Sequence, residues 1–178
     1  MLNRKRDINL NVGAGKIEAN TSLYLGGVGS TTMKQYILFI IKNIKKLKNN
    51  KFINIKIHTM KNICIKYVPK NEEIQFVKID VEGGERDVLL GYDFENFRPK
   101  VFCIESTKPN TMIPTYQFWE GILLNNNYSF AYQYSINRYY IDNKETELKK
   151  RFNKLNLLIN KYKNYKSKKF YKLKNKIS

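Results

Sequence analysis

The feature that most constrains the fold is a strand, a glycine turn and a helix in immediate succession over residues 74–91. The run IQFVKIDV (74–81) is almost continuously apolar, which is typical of a strand buried on both faces in a parallel sheet. A glycine pair then predicts a tight turn, and ERDVLLG predicts a helix that stops at Gly91. A second buried strand is predicted for KVFCIES (100–106). Strands that alternate with helices in this way predict an α/β fold.

Residue patterns elsewhere predict the remaining elements. Period-two alternation predicts strands over residues 7–14, 17–25 and 53–60. Helical spacing predicts helices over residues 33–47, 61–68 and 116–126, the last with Phe118, Ile122 and Leu123 on its buried side. Loops are predicted at residues 26–32 and 107–116, and a β-hairpin over 128–142 that turns near Ser135 to Asn137.

The positive charge of the chain is concentrated at its C-terminus. The net charge is +18, and residues 144–178 hold 13 Lys and Arg against two acids, so +11 lies there and +7 before it. This segment predicts a lysine-rich helix, apolar at Leu148, Phe152, Leu155 and Leu158/Ile159, that ends in a disordered tail. Interleaved tyrosines leave open a weak contact with nucleic acid or anionic lipid. A nucleic-acid-binding domain is not favoured, because the excess charge lies in the tail.

The cysteines and apolar runs indicate the compartment. Cys64 and Cys103 both lie in apolar runs, which predicts buried thiols in a reducing environment. The single histidine, His58, has no second ligand at metal-site spacing, so no zinc site is expected. The longest apolar run, YILFII, is too short to span a bilayer, and no apolar segment follows the basic start. We expect a soluble, cytoplasmic protein.

Two carboxylates follow the central strand. Asp80 and Glu82 lie two positions apart, so on an extended backbone their side chains point the same way. In open α/β sheets the carboxyl ends of the strands face the ligand crevice. Paired carboxylates there favour a metal, a hydroxyl to deprotonate or a cationic cofactor, with helix capping or ion pairing as the structural alternative. Glu85 at the helix start is explained by the helix dipole.

The same stretch resembles the FkbM family of S-adenosylmethionine-dependent methyltransferases, whose signature is KIDVEG followed by an acid and VL-x-G. The residues that match are Lys78, Ile79, Asp80, Val81, Glu82, Gly83, Glu85, Val88, Leu89 and Gly91. The likeness continues through RPKVFCIEST and onward to SINRYYID, and backwards to RDINLNVGAGK, so it covers residues 6 to 142.

The resemblance implies a Rossmann-like class I methyltransferase sheet and methyl transfer from S-adenosylmethionine to a hydroxyl of a sugar or natural product. It also implies roles for individual residues. By position, Asp80 and Glu82 would act as base or hold a divalent ion such as magnesium, with Glu105 as the third catalytic candidate. Asn137 and Arg138 would contact the substrate, although a hairpin turn also explains their presence.

The segment NLNVGAGKIEANTSLYLGG (9–27) looks like a cofactor loop, but a strand pattern continues after Gly15 and Asn11 stands where an acid is usual. We therefore predict that Gly-Ala-Gly is a hairpin turn. The family's cofactor loop and ribose-binding acid would precede residue 1, so the chain is expected to be the C-terminal part of the domain (6–143), followed by a tail (144–178).

This interpretation has two consequences. Without the cofactor-binding part, the remaining sheet should expose an edge. A separate N-terminal half of the domain is an expected partner. The alternative function is a non-catalytic methyltransferase remnant, or an interaction protein that binds through its basic tail.

Overall fold

The computed structural model describes residues 7–25, 51–109 and 111–174. The loop predicted over 26–32 and the helix predicted over 33–47 lie outside these residues. The described strands are β1 (Gly13–Gly15), β2 (Ala19–Leu25), β3 (Lys51–Thr59), β4 (Phe76–Ile79), β5 (Val101–Glu105), β6 (Tyr128–Tyr134) and β7 (Asn137–Asp142). The described helices are α1 (Met60–Tyr67), α2 (Glu85–Leu90), α3 (Glu120–Asn125) and α4 (Thr146–Lys174), with a 3-10 turn at Tyr116–Phe118. The fold is therefore mixed α/β.

The four-stranded sheet has the order β4-β5-β7-β6. β4 and β5 are parallel and are connected through α2, whereas β7 runs antiparallel to both β5 and β6. Every residue of β5 is buried, as its apolar sequence predicts. β6 and β7 form the predicted hairpin, which turns at Ser135 with a φ of 53°.

β4 is shorter and more exposed than its sequence predicts. We predicted a strand over 74–81 buried on both faces, but the strand covers four residues and only Ile79 is buried. Phe76 keeps 52% of its surface exposed. Among the described strands β4 pairs only with β5, so it forms an edge of this sheet. An apolar side chain on an edge strand lacks the second neighbour that would cover it.

The three-stranded sheet corrects the interpretation of Gly-Ala-Gly. β1 is parallel to β3 and β2 is antiparallel to β3, so β3 lies between them and β1 and β2 form no hairpin. The glycines are part of a strand, which is shorter than the predicted 7–14. A Cβ on Gly13 would overlap the side chain of Ile57, its partner on β3. The glycine therefore makes room for a neighbouring apolar side chain.

Gly91 joins the two sheets. It caps α2, as predicted, but its φ of −87° lies outside the left-handed region that usually selects glycine there. A Cβ at this position would overlap the carbonyl oxygen of Gly15 in β1. The Gly91 carbonyl also accepts a hydrogen bond from the amide of Lys61 in α1, at 2.9 Å. A close backbone approach explains the glycine.

Aromatic rings fill the core beside β5. Phe102 lies at their centre, with the rings of Tyr92, Phe94 and Tyr128 at centroid distances of 5.3, 5.9 and 5.1 Å. Burying a side chain of this size stabilises the fold by about 1.5–3 kcal/mol.

The helix predicted over 116–126 is divided at Trp119 into the 3-10 turn and α3. The predicted buried side was wrong at one position, because Phe118 is 69% exposed while Trp119 and Leu123 are buried. The ring of Trp119 packs against Tyr140 at a centroid distance of 5.7 Å. The shorter period of the 3-10 turn changes which residue faces the core.

A helix was predicted in the tail, and α4 confirms it, but the helix continues to Lys174, where a disordered end was predicted. Its first turns pack on the hairpin. The rings of Phe152 and Tyr139 lie 6.3 Å apart, and Asn156 donates a hydrogen bond to the Ala131 carbonyl at 2.9 Å. Farther along, Leu158 is 55% exposed. Among the described helices none is both long enough and apolar enough to cross a bilayer. Cys64 and Cys103 are buried and unpaired, as predicted.

Candidate active site

Three carboxylates meet at the end of the parallel strands. Asp80 and Glu82 follow β4, and Glu105 is the last residue of β5. Because parallel neighbours end at the same edge of the sheet, the three side chains converge. One carboxylate oxygen from each lies within 4.8 Å of the others. The structure thus brings together the three acids that the sequence proposed as catalytic candidates.

The turn after β4 holds Glu82 in an unusual conformation. Glu82 and Gly83 both have positive φ, 53° and 100°. This conformation is unfavourable for a residue with a side chain, by about 1–2 kcal/mol, and such residues are frequent at functional sites.

Glu85 stabilises this turn. Its carboxylate accepts hydrogen bonds from the amides of Val81 (3.3 Å) and Gly83 (3.1 Å). The side chain is buried, and burial raises its pKa. The sequence analysis explained Glu85 by the helix dipole and missed its hydrogen bonds to the turn. The spacing in the sequence could have indicated this role, because the side chain of an acid two residues after Gly83 can reach back to the amides of the turn.

Burial and mutual repulsion determine the electrostatics of the cluster. Glu105 is only 6% exposed, and its Oε2 atom is buried without a hydrogen-bond partner. Burial, followed by the neighbouring Asp80 carboxylate, raises the pKa of Glu105 to about 8. Burial, again followed by Asp80, also raises the pKa of Glu82. Like charges this close favour a state in which the carboxylates share a proton or a cation.

Lys78 connects the cluster to the hairpin. Its ammonium group lies 2.8 Å from Asp80 Oδ2 and 2.9 Å from Asn137 Oδ1. Asn137 is also the partner of Glu105 in the β5–β7 register. The structure therefore places Asn137, a sequence-predicted substrate residue, beside the carboxylates. Sequence reasoning missed Lys78 as a site residue, although it precedes Asp80 by two positions and so shares its side of the strand.

Arg138, the second residue predicted to contact the substrate, has a different environment from Asn137. The side chain is buried and donates hydrogen bonds to Glu120 (2.7 Å) and to the Tyr140 hydroxyl (2.9 Å). Its guanidinium also lies 3.7 Å from the ring centre of Tyr116. Adjacent strand residues point to opposite faces, so Arg138 faces away when Asn137 faces the cluster. These contacts favour a structural role for Arg138 over the predicted contact with substrate.

A cleft of about 630 Å³ opens beside the carboxylates. Its lining residues are Asp80, Glu82, Glu105, Thr107, Thr111, Met112 and Ile136. The loop after β5 forms one wall, held by a bridge between Thr107 and Pro114 and by the hydrogen bond from Thr115 N to Ser106 O at 2.7 Å. The Thr107 hydroxyl is buried without a hydrogen-bond partner. Thr107 was not predicted as a site residue.

One comparison with known proteins gives a match. The family model for the methyltransferase FkbM domain matches residues 1–130, about three quarters of the chain. No curated protein and no solved structure matches the sequence significantly. The matched range contains the carboxylate cluster and Thr107, whereas Asn137 lies beyond it.

Proposed function

The chain belongs to the methyltransferase FkbM domain family, and we propose that it takes part in methyl transfer from S-adenosylmethionine to a hydroxyl oxygen of a sugar or other small molecule. The observation that carries this proposal is the convergence of Asp80, Glu82 and Glu105 at a cleft large enough for a small acceptor. An acceptor oxygen that attacks a methyl group must lose its proton, and carboxylates are suitable bases.

The cluster acts as the proton acceptor in this proposal. A general base works best when its pKa lies near the working pH, and the pKa of Glu105 is about 8. A proton taken by one carboxylate relieves the repulsion among all three. Asp80 is the member most open to the acceptor, since 47% of its side chain is exposed. Asn137, held by Lys78 at the same edge, is the proposed contact for a neighbouring polar group of the acceptor.

The described residues do not fit the methyl donor itself. The glycines of β1 make room for Ile57 and leave no gap for a ligand. In the β4–α2 turn, the Glu85 carboxylate already takes the amides of Val81 and Gly83. These amides are the groups that such a turn would offer to a ligand. The described residues around the cleft therefore suit the acceptor side of the reaction.

We assign the donor side to a separate N-terminal half of the domain, which would pair with β4 on the side where no described strand lies. The position of β4 at the edge of the described sheet supports this partner, as does the exposed ring of Phe76. A cytoplasmic location belongs to the same proposal, because Cys64 and Cys103 are buried as free thiols.

Calorimetry with purified chain and S-adenosylmethionine tests where the donor binds. We expect weak binding or none, because the described residues lack a donor site. Micromolar binding would contradict this assignment and would make Gly13–Gly15 a cofactor-loop candidate again.

Transfer of a tritiated methyl group tests the function. The chain is mixed with the donor-binding half of a family relative, expressed separately, and with a small-molecule extract as the source of acceptors. Label in the small-molecule fraction that requires the chain supports the proposal. If the mixture transfers no label although the two polypeptides associate, the non-catalytic alternative is favoured.

A further inference from the structure

We propose that Asp80, Glu82 and Glu105, together with the Thr107 hydroxyl, form a binding site for one hard divalent cation. The binding of the ion follows from the geometry alone. Its role in catalysis, which is to lower the pKa of the acceptor hydroxyl, rests on the proposed function.

The spacing of the carboxylates suits a cation of this class. Two ligands on opposite sides of an ion are separated by at most twice the metal–oxygen distance, about 4.2 Å for Mg²⁺ and about 4.6–5.2 Å for Ca²⁺. The three carboxylate oxygens lie within 4.8 Å of one another. This spacing suits Ca²⁺ without any change. Small changes in the side-chain rotamers would bring the oxygens close enough for Mg²⁺ or Mn²⁺.

Two buried oxygens beside the cluster have no hydrogen-bond partner and could coordinate a cation. Glu105 Oε2 and Thr107 Oγ1 both lack a partner, and their residues are only 6% and 5% exposed. Both residues line the cleft that contains Asp80 and Glu82. Leaving such atoms unsatisfied is unfavourable, and a cation would coordinate the lone pairs of both. The buried Thr107 hydroxyl is not one of the three acids, so it is a second observation in support of a ligand at this place.

The charge balance also favours a cation. The Lys78 ammonium group lies 2.8 Å from Asp80 Oδ2 and offsets the charge of that carboxylate. It also donates a hydrogen bond to Asn137 Oδ1. One carboxylate oxygen from each of Asp80, Glu82 and Glu105 lies within 4.8 Å of the others, so their negative charges repel one another. A divalent ion bound between the three carboxylates would offset this repulsion. Because the group consists of oxygen ligands, it favours Mg²⁺, Mn²⁺ or Ca²⁺ over Zn²⁺ or Cu²⁺.

Electron paramagnetic resonance with Mn²⁺ tests the site directly, using the full chain without methyl donor or acceptor. We expect one bound Mn²⁺ per chain, displaced by Mg²⁺ or Ca²⁺. Glu105→Gln should weaken binding at least about 10-fold. Glu147→Gln removes the same charge from the exposed face of α4 and should change nothing. Thr107→Val should weaken binding and raise the melting temperature of the metal-free chain, because it removes an unsatisfied buried hydroxyl.

The possible results separate this inference from the proposed function. If the wild-type chain binds no Mn²⁺ at millimolar concentration, or if Glu105→Gln binds as tightly as Glu147→Gln, the site is refuted. Methyl transfer in the complemented mixture could still occur by carboxylate base catalysis. Conversely, Mn²⁺ binding that depends on Glu105 would establish the site even if no methyl transfer were found.

Discussion

The carbonyl oxygen of Gly15 occupies the position that a side chain on Gly91 would need. This contact joins β1 to the end of α2, and α2 in turn follows the turn that carries Glu82. Gly91→Ala should therefore destabilise the chain by at least about 2 kcal/mol, since the obstacle is backbone and cannot rotate away. Urea denaturation measures the change.

Gly121→Ala is the matched control for this substitution. Gly121 lies in α3, and a Cβ there would meet nothing within 4 Å. Its replacement should stabilise the chain by up to about 1 kcal/mol through helix propensity. If both substitutions had the same effect, the contact between Gly15 and Gly91 would not hold the two sheets together.

The raised pKa of Glu105 predicts a pH dependence of stability. In the unfolded chain this carboxyl titrates near its ordinary value of 4.5, and in the folded chain near 8. The folded state therefore holds an extra proton between these values, so the free energy of unfolding of the metal-free chain should fall as pH rises from about 4.5 to 8. The total change is a few kcal/mol, because each pKa unit corresponds to about 1.4 kcal/mol.

Glu105→Gln cannot ionise and should flatten this slope in melting experiments performed with EDTA. Glu82 and Glu85 also have raised pKa values and should leave a smaller slope of the same sign. A wild-type slope that survives unchanged in Glu105→Gln would show that other groups cause it.

Arg138 should act on stability rather than on chemistry. It forms a largely buried ion pair with Glu120, and their side chains are 11% and 22% exposed. Removing one partner of such a pair destabilises a protein by about 3–5 kcal/mol, so Arg138→Met should lower the melting temperature substantially. Lys150→Met breaks an exposed pair with Glu147 and should change stability by less than about 1 kcal/mol. Normal stability with reduced methyl transfer in Arg138→Met would instead restore Arg138 as a substrate residue.

Two truncations distinguish the parts of α4. Removing residues 161–178 deletes the last part of α4, in which every side chain of described burial is exposed, and should change the free energy of unfolding by less than about 0.5 kcal/mol. Removing residues 144–178 also deletes Phe152 and Asn156, which contact β7 and β6, and should destabilise by about 2 kcal/mol or more. Equal stability of both truncated chains would mean that all of α4 is a solvated extension.

Local patterns were sufficient to predict part of the fold and of the site. The unbroken apolar run of β5 required burial, and the hairpin was evident from its turn residues. Asp80 and Glu105 could be placed together because each was predicted at the end of a strand. The alternation of strands and helices indicated that these two strands are parallel, and they are neighbours in the sheet. These inferences need only the period of a strand and the direction of its neighbour.

What failed depended on packing between distant segments. The exposure of Phe76 follows from the position of β4 at the edge of the sheet that the described strands form, which its own sequence does not encode. The glycines of β1 are explained by Ile57, more than forty residues away in the chain. The partner of Arg138 is likewise on another element, at Glu120. Lys78 was predicted only as part of the strand over 74–81, although its ammonium group contacts Asp80 and Asn137.

The rate of methyl transfer by Asp80→Asn in the complemented mixture tests the proposed chemistry most directly. Asp80 has a half-exposed side chain, so the substitution should leave the melting temperature nearly unchanged. The rate should fall about 10²–10⁴-fold relative to wild type, as expected when a general base is lost, while Glu147→Gln transfers at the wild-type rate. An Asp80→Asn chain that folds normally and transfers methyl groups as fast as wild type would contradict the assignment of this cluster as the active site.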